Sequence, residues 1–268
     1  MSTEDFLSGE SGTVAGRRRV LLEARDRWLD LSAVASGRRL RLRRAARRQP
    51  PRRRVLVLGV ERPELPGLMR SASAELARSR HAVELHVTPA GERGKFENVS
   101  ALLQAHPPSG HDWLIVIDDD VALPRGFLDV FLFLAERFEL RLAQPAHRLA
   151  SHAGWAVTRR RRRCVARETA FVEIGPLTAF HSTTFERLLP FPPLRYGWGL
   201  DAHWSALARE HRWRIGVIDA TPIMHGLRPV AASYGHEQAI AEARGFLADR
   251  PYVRREEAQR TLVEHRRW

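Results

Sequence analysis

Three consecutive carboxylates, Asp118, Asp119 and Asp120, directly follow the apolar run WLIVI at residues 113–117. The run has the length and composition of a buried strand, and open α/β sheets bind ligands beyond the carboxyl ends of their strands. Adjacent anions repel one another, so the cluster predicts a bound cation. Asp118 and Asp120 can present oxygens to one Mg²⁺ or Mn²⁺ that also holds a diphosphate. A solvated acidic turn is the alternative.

The segment GWGLDAHW at residues 197–204 is the second candidate. Its two glycines let the backbone turn sharply around Trp198, which would present an indole face to a ligand. Asp201 follows at the start of a predicted helix, where a carboxylate beside an aromatic platform suits a general base for a hydroxyl group. The alternative role for Asp201 is to cap that helix.

His225, in the segment TPIMHG, is the third candidate. Histidine is a common ligand for divalent transition metals, and His225 could complete a site with the two aspartates. A lone histidine is more often structural.

A phosphatase of the haloacid dehalogenase type also places two aspartates after an apolar strand. That pattern needs Thr or Val four residues after the first aspartate, where this chain has Ala122, and a lysine farther along. The only lysine, Lys95, precedes the aspartates. The phosphatase alternative is therefore disfavoured.

The elements that must position these residues alternate between strands and helices along the chain. Apolar runs of strand length are predicted at 55–60, 82–88, 113–117, 141–146 and 213–219, and helices at 64–79, 96–106, 124–138 and 200–211. Such alternation predicts a parallel sheet covered by helices on both faces. Residues 220–228 are predicted to be a loop.

The net charge of +13 is concentrated near the N-terminus, where residues 1–54 hold 15 arginines and 6 acidic residues. The remainder is mildly positive, so no specific nucleic-acid partner is predicted. The single cysteine, Cys164, excludes an internal disulfide and a cysteine-based zinc site. No apolar run reaches the roughly 18 residues of a membrane span, and MSTEDFLSGE lacks the layout of a signal peptide. These features predict a cytoplasmic location.

Residues 14–35 have the pattern of an amphipathic helix, with Leu21, Ala24, Trp28 and Leu31 at helical spacing beside several arginines. Residues 37–54 are predicted to be an arginine-rich linker. The helix and the basic stretch predict an anionic membrane surface as a partner, with the protein peripheral on the inner face of the membrane. The alternative is a solvated helix that packs on the main domain.

The order of these segments resembles a known family. The first strand, the Lys95-x-x-Asn98 helix start and WLIVIDDDVALPRGFL resemble the nucleotide-binding half of family-2-type glycosyltransferases, which have the GT-A fold. The GWGLD, IGVID and His225 segments resemble the second half of that fold. VEIGP, GWGLD and IGVID are also similar to an uncharacterised plant family labelled lysine-ketoglutarate reductase trans-splicing-related. The resemblance covers about residues 53–228.

The composition and the element pattern predict an arginine-rich tail with an amphipathic helix at 1–54 and a helical extension at 231–268, and the resemblance implies a GT-A catalytic domain at 55–230 between them. It implies a Rossmann-like mixed sheet, mostly parallel. It also implies a metal-dependent transfer of a sugar from a nucleoside-diphosphate sugar to a hydroxyl acceptor, which is a glycan, a lipid-linked molecule or a small molecule. An inverting mechanism is expected.

The same resemblance assigns roles to individual residues. Asp118 and Asp120 resemble the ends of the family's D-x-D metal motif, His225 its C-terminal metal ligand and Asp201 its acceptor-activating base. Leu200 stands where many relatives have a second acid before that base. The expected nucleotide-sugar contacts are Val60, Glu61, Arg62, Lys95, Asn98, Asp118 and Asp119, and the expected acceptor contacts are Trp198 and Glu173.

Two other functions remain open from the sequence. A nucleotidyltransferase on a similar fold would release diphosphate instead of a nucleoside diphosphate. A non-catalytic protein with a degenerate transferase domain would bind an anionic surface through the basic tail and bind nucleotide without turnover.

Overall fold

The structure, a computed structural model, describes residues 4–48, 51–62, 67–225 and 235–268. Within these residues one sheet is flanked by helices. The helices are α1 (Gly16–Ala35), α2 (Arg38–Arg48), α3 (Leu68–Ala77), α4 (Lys95–Ala105), α5 (Phe127–Arg137), α6 (Phe185–Leu188), α7 (Leu200–Glu210), α8 (His236–Leu247) and α9 (Arg255–Ala258). The strands are β1 (Arg54–Glu61), β2 (Ala82–Pro89), β3 (Trp113–Asp118), β4 (Val121–Ala122), β5 (Leu140–His147), β6 (Ala166–Thr169), β7 (Leu177–His181), β8 (Arg214–His225) and β9 (Thr261–His265).

The strand order in the described sheet is β2-β1-β3-β7-β5-β8-β6-β9, and the short β4 pairs with β8. β1 is parallel to both β2 and β3, and β5 is parallel to β8. β7 and β6 are each antiparallel to both of their neighbours. Apart from these two, the strands along this path share one direction. This is the mixed, mostly parallel sheet that the GT-A resemblance implies, whereas the strand–helix alternation alone predicts a parallel sheet, from which β6 and β7 depart.

Alternate residues of the central strands pack into two apolar layers, which is why these strands are continuous apolar runs. Val57 and Ile115 lie in one layer with Phe131 of α5. Leu56 and Leu114 lie in the other layer, which includes residues of α4, α7 and α8. Both faces of the sheet are therefore covered, and its strand ends are left to form a site.

The N-terminal segment packs against the sheet domain. Residues 38–48 were expected to belong to a linker, but they form α2, whose Leu42 and Ala46 are buried in the same layer as α5. A leucine and an alanine four positions apart lie on one helix face, so this apolar pair packs the helix on the domain, and its seven arginines are themselves good helix formers.

α1 points its apolar side chains away from the protein. Its contact with the domain is made by acids: Asp26 is buried and accepts hydrogen bonds from Ala150 N and Arg160, and Asp30 pairs with Arg148 and Arg160. The large apolar residues that are exposed on α1 and at the start of α2 are Val20, Leu21, Trp28, Leu31, Val34 and Leu40.

The basic run at residues 159–163 is held in place by these helices and by the C-terminal strand. Arg160 pairs with Asp26 and Asp30, Arg161 pairs with Glu264 of β9, and the Arg162 guanidinium lies 4.8 Å from the Trp28 ring centroid. The run is therefore part of the packed structure.

Two expectations about the second half of the chain need correction. Residues 220–225 were expected to be a loop, but they continue β8, because Val121 of β4 pairs with His225. Residues 231–268 were expected to be helical, and α8 and α9 agree with this. Residues 261–265, however, form β9 beside β6, with Ala166 paired to His265.

The predicted domain boundary at 230–231 and the start of the helix predicted over 64–79 lie outside the described residues. None of the helices in the described part of the chain is both long enough and apolar enough to span a bilayer.

Candidate functional site

The candidate metal-binding residues come together where β3, β4 and β8 end. Asp118 is the last residue of β3, and Asp119 and Asp120 form the turn into β4. The pairing of β4 with the end of β8 then sets His225 beside this turn. Sheet pairing thus joins two segments that are more than 100 residues apart in the chain.

Asp120 and His225 are in direct contact. His225 Nε2 lies 3.2 Å from Asp120 Oδ2, and the Asp120 side chain is 3% exposed. The other carboxylate oxygen, Oδ1, is buried and has no hydrogen-bond partner. The second ring nitrogen of His225, Nδ1, lies 3.3 Å from the backbone carbonyl of His152. This contact directs Nε2 toward the aspartates, as backbone carbonyls do for metal-binding histidines.

The two partners shift each other's ionisation in opposite directions. Burial is the largest single influence and acts to raise the pKa of Asp120, but the hydrogen bond from His225, the charge of His225 and the charge of Arg62 together outweigh it, and the pKa lies below the ordinary value. Burial is the largest single influence and acts to lower the pKa of His225, but the hydrogen bond and charge of Asp120 and the charge of Asp118 together outweigh it, and that pKa lies above the ordinary value. The pair therefore favours a carboxylate facing an imidazolium.

Asp118 is held by the lysine that precedes it in the chain. Lys95 Nζ lies 2.7 Å from Asp118 Oδ1 and also donates to the carbonyl oxygens of Ile174 and Gly175. Asp118, Asp120 and His225 do not have ligand atoms that all lie within 4.8 Å of one another. Among the described residues, three acids or histidines reach that proximity elsewhere, on β2 and at the end of α4. Asp118, Asp120 and His225 are thus neighbours that have not closed into a ligand set.

These residues still suit a divalent cation. The donors are two carboxylates and one imidazole. Both Mn²⁺ and Mg²⁺ bind carboxylates, and Mg²⁺ binds the imidazole less readily. The unpartnered Asp120 Oδ1 is the strongest sign, because a buried carboxylate oxygen without a partner is costly. Asp118 would have to exchange its lysine contact for the cation.

Asp119 does not face the cation site. Arg62 binds it through the backbone N–H, 2.7 Å from Oδ2, through Nε, 2.9 Å from Oδ2, and through a second guanidinium nitrogen at Oδ1. The Asp119 side chain is 2% exposed. Two residues expected to contact the nucleotide therefore bind each other and fix the loop after β1 to the turn after β3.

The GWG segment forms the sharp turn that the sequence predicts. Gly197 and Gly199 have φ angles of +78° and +87°, and Gly199 is the N-cap of α7. A Cβ atom on Gly197 would lie 2.2 Å from the Phe96 ring, so the turn needs glycine for space as well as for φ. Asp201 therefore lies inside the first turn of α7 and is not its N-cap.

Asp201 is a buried carboxylate with few polar contacts. Its Oδ2 accepts from Ile174 N at 3.3 Å, its Oδ1 accepts from Ala202 N at 2.9 Å, and the residue is 6% exposed. Burial raises its pKa to about 7, and the negative charge of Glu173 acts in the same direction. A carboxyl group that titrates near neutral pH suits general acid–base chemistry.

Glu173, expected to contact the acceptor, lies in a buried polar network. Its Oε2 is 3.3 Å from both His147 Nε2 and Thr158 Oγ1. Burial is the largest single influence and acts to raise the pKa of Glu173, but the contact with His147, the charge of His225 and the hydrogen bond from Thr158 together outweigh it, and the pKa is lowered. Glu173 is thus a charged neighbour of Asp201 that is already engaged with protein groups.

The remaining predicted contacts divide between the site and its support. The Asn98 side-chain N–H₂ is buried and donates to the carbonyl of Ala90 at 2.9 Å, so Asn98 shapes the loop before α4. Val60 is level with Asp118 in the β1–β3 register, and Glu61 ends β1 beside it. Trp198 is half-buried against the layer that contains α7.

Sequence reasoning missed the segment that supports His225. Ser151 Oγ accepts from His225 N at 2.7 Å, and His152 Nδ1 accepts from Val14 N at 3.1 Å. The rings of His147 and His152 have centroids 6.4 and 6.5 Å from that of His225. Two histidines in HRLASH (147–152) were the available signal.

No protein-family model matches this chain, and the curated proteins contain no significant match. Several solved structures have a similar fold. One is the mannosyltransferase PcManGT from Pyrobaculum calidifontis in complex with GDP-Man and Mn²⁺, with 18% identity over 84% of this chain and 73% of that chain and a TM-score of 0.45.

Two further structures are glycosyltransferases. GalNAc-T7 with UDP, GalNAc and Mn²⁺ has 11% identity over 68% of this chain and 45% of that chain, with a TM-score of 0.49. The catalytic domain of Drosophila β1,4-galactosyltransferase 7 in complex with xylobiose has 12% identity over 71% of this chain and 80% of that chain, with a TM-score of 0.46. The chain spans less than half the length of the GalNAc-T7 chain.

These likenesses concern the fold alone. The resemblance to the plant family labelled lysine-ketoglutarate reductase trans-splicing-related stays a prediction.

Proposed function

We propose that this protein is a metal-dependent glycosyltransferase that moves a sugar from a nucleoside-diphosphate sugar to a hydroxyl acceptor. The observation that carries the proposal is the Asp120–His225 pair, with a buried carboxylate oxygen that has no partner, next to the Asp118–Lys95 pair. Carboxylates, an imidazole and an ammonium group at one strand end suit a diphosphate with its cation.

Each group has a role in this proposal. Asp118, Asp120 and His225 would hold Mn²⁺ or Mg²⁺. The cation would neutralise the charge on the leaving diphosphate. Lys95, which pairs with Asp118, would bind the same diphosphate as a second positive charge. The end of β1, at Val60 and Glu61, would line the nucleoside.

Asp201 is the proposed base. In an inverting transfer, the acceptor oxygen forms a bond to the anomeric carbon while the bond from that carbon to the diphosphate oxygen breaks. The electron pair of the broken bond leaves with the nucleoside diphosphate, and the acceptor proton passes to Asp201. Its pKa of about 7 allows the carboxylate to accept this proton near neutral pH.

Product identity separates this proposal from its enzymatic alternative. The protein would be incubated with Mn²⁺ and a panel of nucleotide sugars, and released nucleoside diphosphate and inorganic diphosphate would be measured separately. We expect release of nucleoside diphosphate, and this release should require Asp120. Inorganic diphosphate from a nucleoside triphosphate would instead identify a nucleotidyltransferase. Mn²⁺-dependent nucleotide binding without either product would identify a non-catalytic protein.

We also propose that the outer face of α1 and α2 binds an anionic membrane surface. The face is defined by the exposed residues Val20, Leu21, Trp28, Leu31, Val34 and Leu40 and by the exposed arginines Arg17, Arg18, Arg25, Arg27, Arg41, Arg44, Arg47 and Arg48. Two of the three acids of α1 face the domain, where Asp26 is buried and Asp30 pairs with arginines, whereas the third, Glu23, lies beside the stripe and pairs with Arg19 of the same helix.

Charge and hydrophobicity both favour a lipid surface as the occupant. Burying an exposed leucine or valine contributes about 1.5–3 kcal/mol, and each arginine near an anionic surface contributes about 1 kcal/mol. An apolar stripe between arginines is the pattern of a helix that lies in the membrane interface. A second copy of this chain would bring equally charged arginines against one another.

Deleting the N-terminal segment is a poor test, because Phe6, Val14, Leu42 and Ala46 are buried. Leu31→Glu changes only the exposed stripe. We expect it to reduce sedimentation with phosphatidylglycerol-containing vesicles at least tenfold. Leu262→Glu, at another exposed leucine, is the matched control and should leave binding unchanged. Equal binding to neutral and anionic vesicles, or a dimer that Leu31→Glu abolishes, would overturn the proposal.

A further inference from the structure

A second group of possible metal ligands lies at the other end of the sheet path, on the edge strand β2. Glu84 and His86 are on β2, His106 is the C-cap residue of α4, and His111 lies just before β3. Ligand atoms of Glu84, His86 and His106 all lie within 4.8 Å of one another. None of these residues belongs to the proposed transfer site.

The contacts within this group are close. His86 Nε2 lies 2.8 Å from Glu84 Oε1, and His111 Nε2 lies 3.2 Å from Glu84 Oε2. The rings of His86 and His106 are stacked, with 3.4 Å between their centroids and 11° between their planes. Glu84 is therefore the centre of the group, with an imidazole at each oxygen and a third imidazole against the first.

Burial makes one side of this group rigid. The His111 side chain is 6% exposed, and its Nδ1 is a buried atom with no hydrogen-bond partner in the described residues. The polar contact of the His111 ring is therefore the one that Nε2 makes with Glu84.

We propose that Glu84, His86, His106 and His111 form a binding site for Zn²⁺. Three imidazoles and one carboxylate match the nitrogen and oxygen ligands and the fourfold coordination that this ion prefers. Zn–ligand distances of about 2.0–2.1 Å place neighbouring ligand atoms of a tetrahedron about 3.3 Å apart. The ligand atoms of Glu84, His86 and His106 lie up to 4.8 Å apart, and this spread closes by rotation of Glu84 and His86, whose side chains are 48% and 26% exposed. His111 Nε2, 3.2 Å from Glu84 Oε2, would provide the fourth ligand.

The site has a structural role, since its ligands come from three elements. β2 pairs only with β1 in the described sheet, so it depends on few neighbours. An ion held by β2, by the end of α4 and by the segment before β3 ties this edge to the adjoining parts of the domain. A ligand that binds the folded state alone raises its stability. The inference does not depend on the proposed transferase activity.

Zn²⁺ binding to the full-length Asp120→Asn variant, measured by calorimetry, tests the proposal with the transfer site weakened. We expect one equivalent of Zn²⁺ and an increase in melting temperature. His106→Ala or Glu84→Gln, added to that background, should lower Zn²⁺ affinity by at least about tenfold, since even loss of a group that only supports a metal ligand costs that much. His211→Ala, on the C-cap of α7, is the control and should leave affinity unchanged.

The two proposals fail separately in this design. Zn²⁺ affinity that is unchanged by both His106→Ala and Glu84→Gln would overturn the zinc site, as would the absence of binding in the Asp120→Asn background. His106→Ala in the otherwise native chain should retain Mn²⁺-dependent nucleotide binding. Circular dichroism spectra of each variant without metal would show that the chain is folded, and Glu84→Gln, which keeps the side-chain size, remains informative if His106→Ala does not fold.

Discussion

Lys95 and Asp118 form an ion pair across the candidate site, with 2.7 Å between Nζ and Oδ1. The lysine lies at the start of α4 and the aspartate at the end of β3, so the contact joins the two elements that would face the donor. The chain's only lysine thus occupies the carboxylate that a cation would bind. Lysine and cation compete for Asp118 in the free protein, and they cooperate once a diphosphate binds both.

Replacing this lysine should therefore have opposite effects on two affinities. Lys95→Gln removes the competing ammonium, so we expect the affinity for Mn²⁺ alone to rise. It also removes a positive charge from the diphosphate site, so affinity for a nucleoside diphosphate should fall by about tenfold or more, as expected for a charge-assisted contact of about 1.5–3 kcal/mol. Titrations of Mn²⁺ alone and of nucleotide at saturating Mn²⁺ measure both. A fall in both affinities would contradict the competition.

Asp120→Asn removes one anionic ligand and keeps the side-chain size. It should abolish Mn²⁺-dependent nucleotide binding while leaving the protein folded, and His225→Ala should weaken binding less. Thermal shifts with nucleoside diphosphate, with and without Mn²⁺, provide the measurement. Asp112→Asn, at an acid before β3, is a control for loss of charge. Unchanged Mn²⁺ dependence in Asp120→Asn would disprove the assigned metal site.

Asp201→Asn separates a base from a structural residue. A general base typically contributes about 10²–10⁴-fold in rate, so transfer should fall by that factor while donor affinity stays the same. In the native protein, transfer should increase as pH rises through about 7, because the pKa of Asp201 is raised to about 7. The rate of each protein as a function of pH tests this. Normal transfer by Asp201→Asn would move the base elsewhere, with Glu173 the next carboxylate to examine.

The same pKa predicts how stability depends on pH. An unfolded aspartate has a pKa of about 3.9, and Asp201 has a pKa of about 7 when folded. The folded state therefore binds this proton more tightly. Its stabilising contribution is full below about pH 4 and is lost as pH rises to 7. The difference in melting temperature between Asp201→Asn and the native protein should therefore shift in favour of the variant when the pH is raised from 5 to 8. No difference between these pH values would mean that Asp201 is ionised throughout.

A buried ion pair away from the candidate site should affect stability and not activity. Arg167 and Asp219 have side chains that are 0% exposed, with 2.8 Å between Nε and Oδ2. Removing one partner of a buried pair leaves an uncompensated charge and costs about 3–5 kcal/mol, so Asp219→Asn should lower the free energy of unfolding by roughly that amount. The exposed pair Arg209–Glu257 is the control, and Arg209→Ala should cost about 0–1 kcal/mol. Denaturant unfolding of both variants gives the comparison.

The sequence identifies the central strands because burial on both faces makes them continuous apolar runs. Residues 55–60 and 113–117 correspond closely to β1 and β3. The sharp turn at Gly197 and Gly199 also follows from residue type, since both residues have positive φ. These features depend on local composition and conformation.

Strand pairing between segments that are distant in the chain could not be predicted from the sequence. The end of β8 forms because His225 pairs with Val121, and β9 forms because it pairs with β6. Neither segment has an apolar run that would indicate a strand. The orientation of α1 is unpredictable for a similar reason: its apolar stripe indicates a buried face, but the buried contacts are made by Asp26 and Asp30 with distant arginines.

Placement of the carboxylates shows the same limit within the site. The sequence gives three adjacent aspartates the same environment, whereas the structure gives each a different cationic partner: Lys95 for Asp118, Arg62 for Asp119 and His225 for Asp120. These partners come from segments before and after the aspartates. Their side chains arrive through tertiary contacts that no local pattern records.

β9 has a consequence for the behaviour of the protein at high concentration. It is the last strand of the described sheet, and Leu262 and Val263 on it are 56% and 42% exposed. A rim of unpaired backbone groups beside apolar side chains is a template for intermolecular strand addition. The exposed Arg260 and Arg266 flank this strand and repel an identical rim. Neutral residues at these two positions would favour aggregation even though neither arginine belongs to the candidate site.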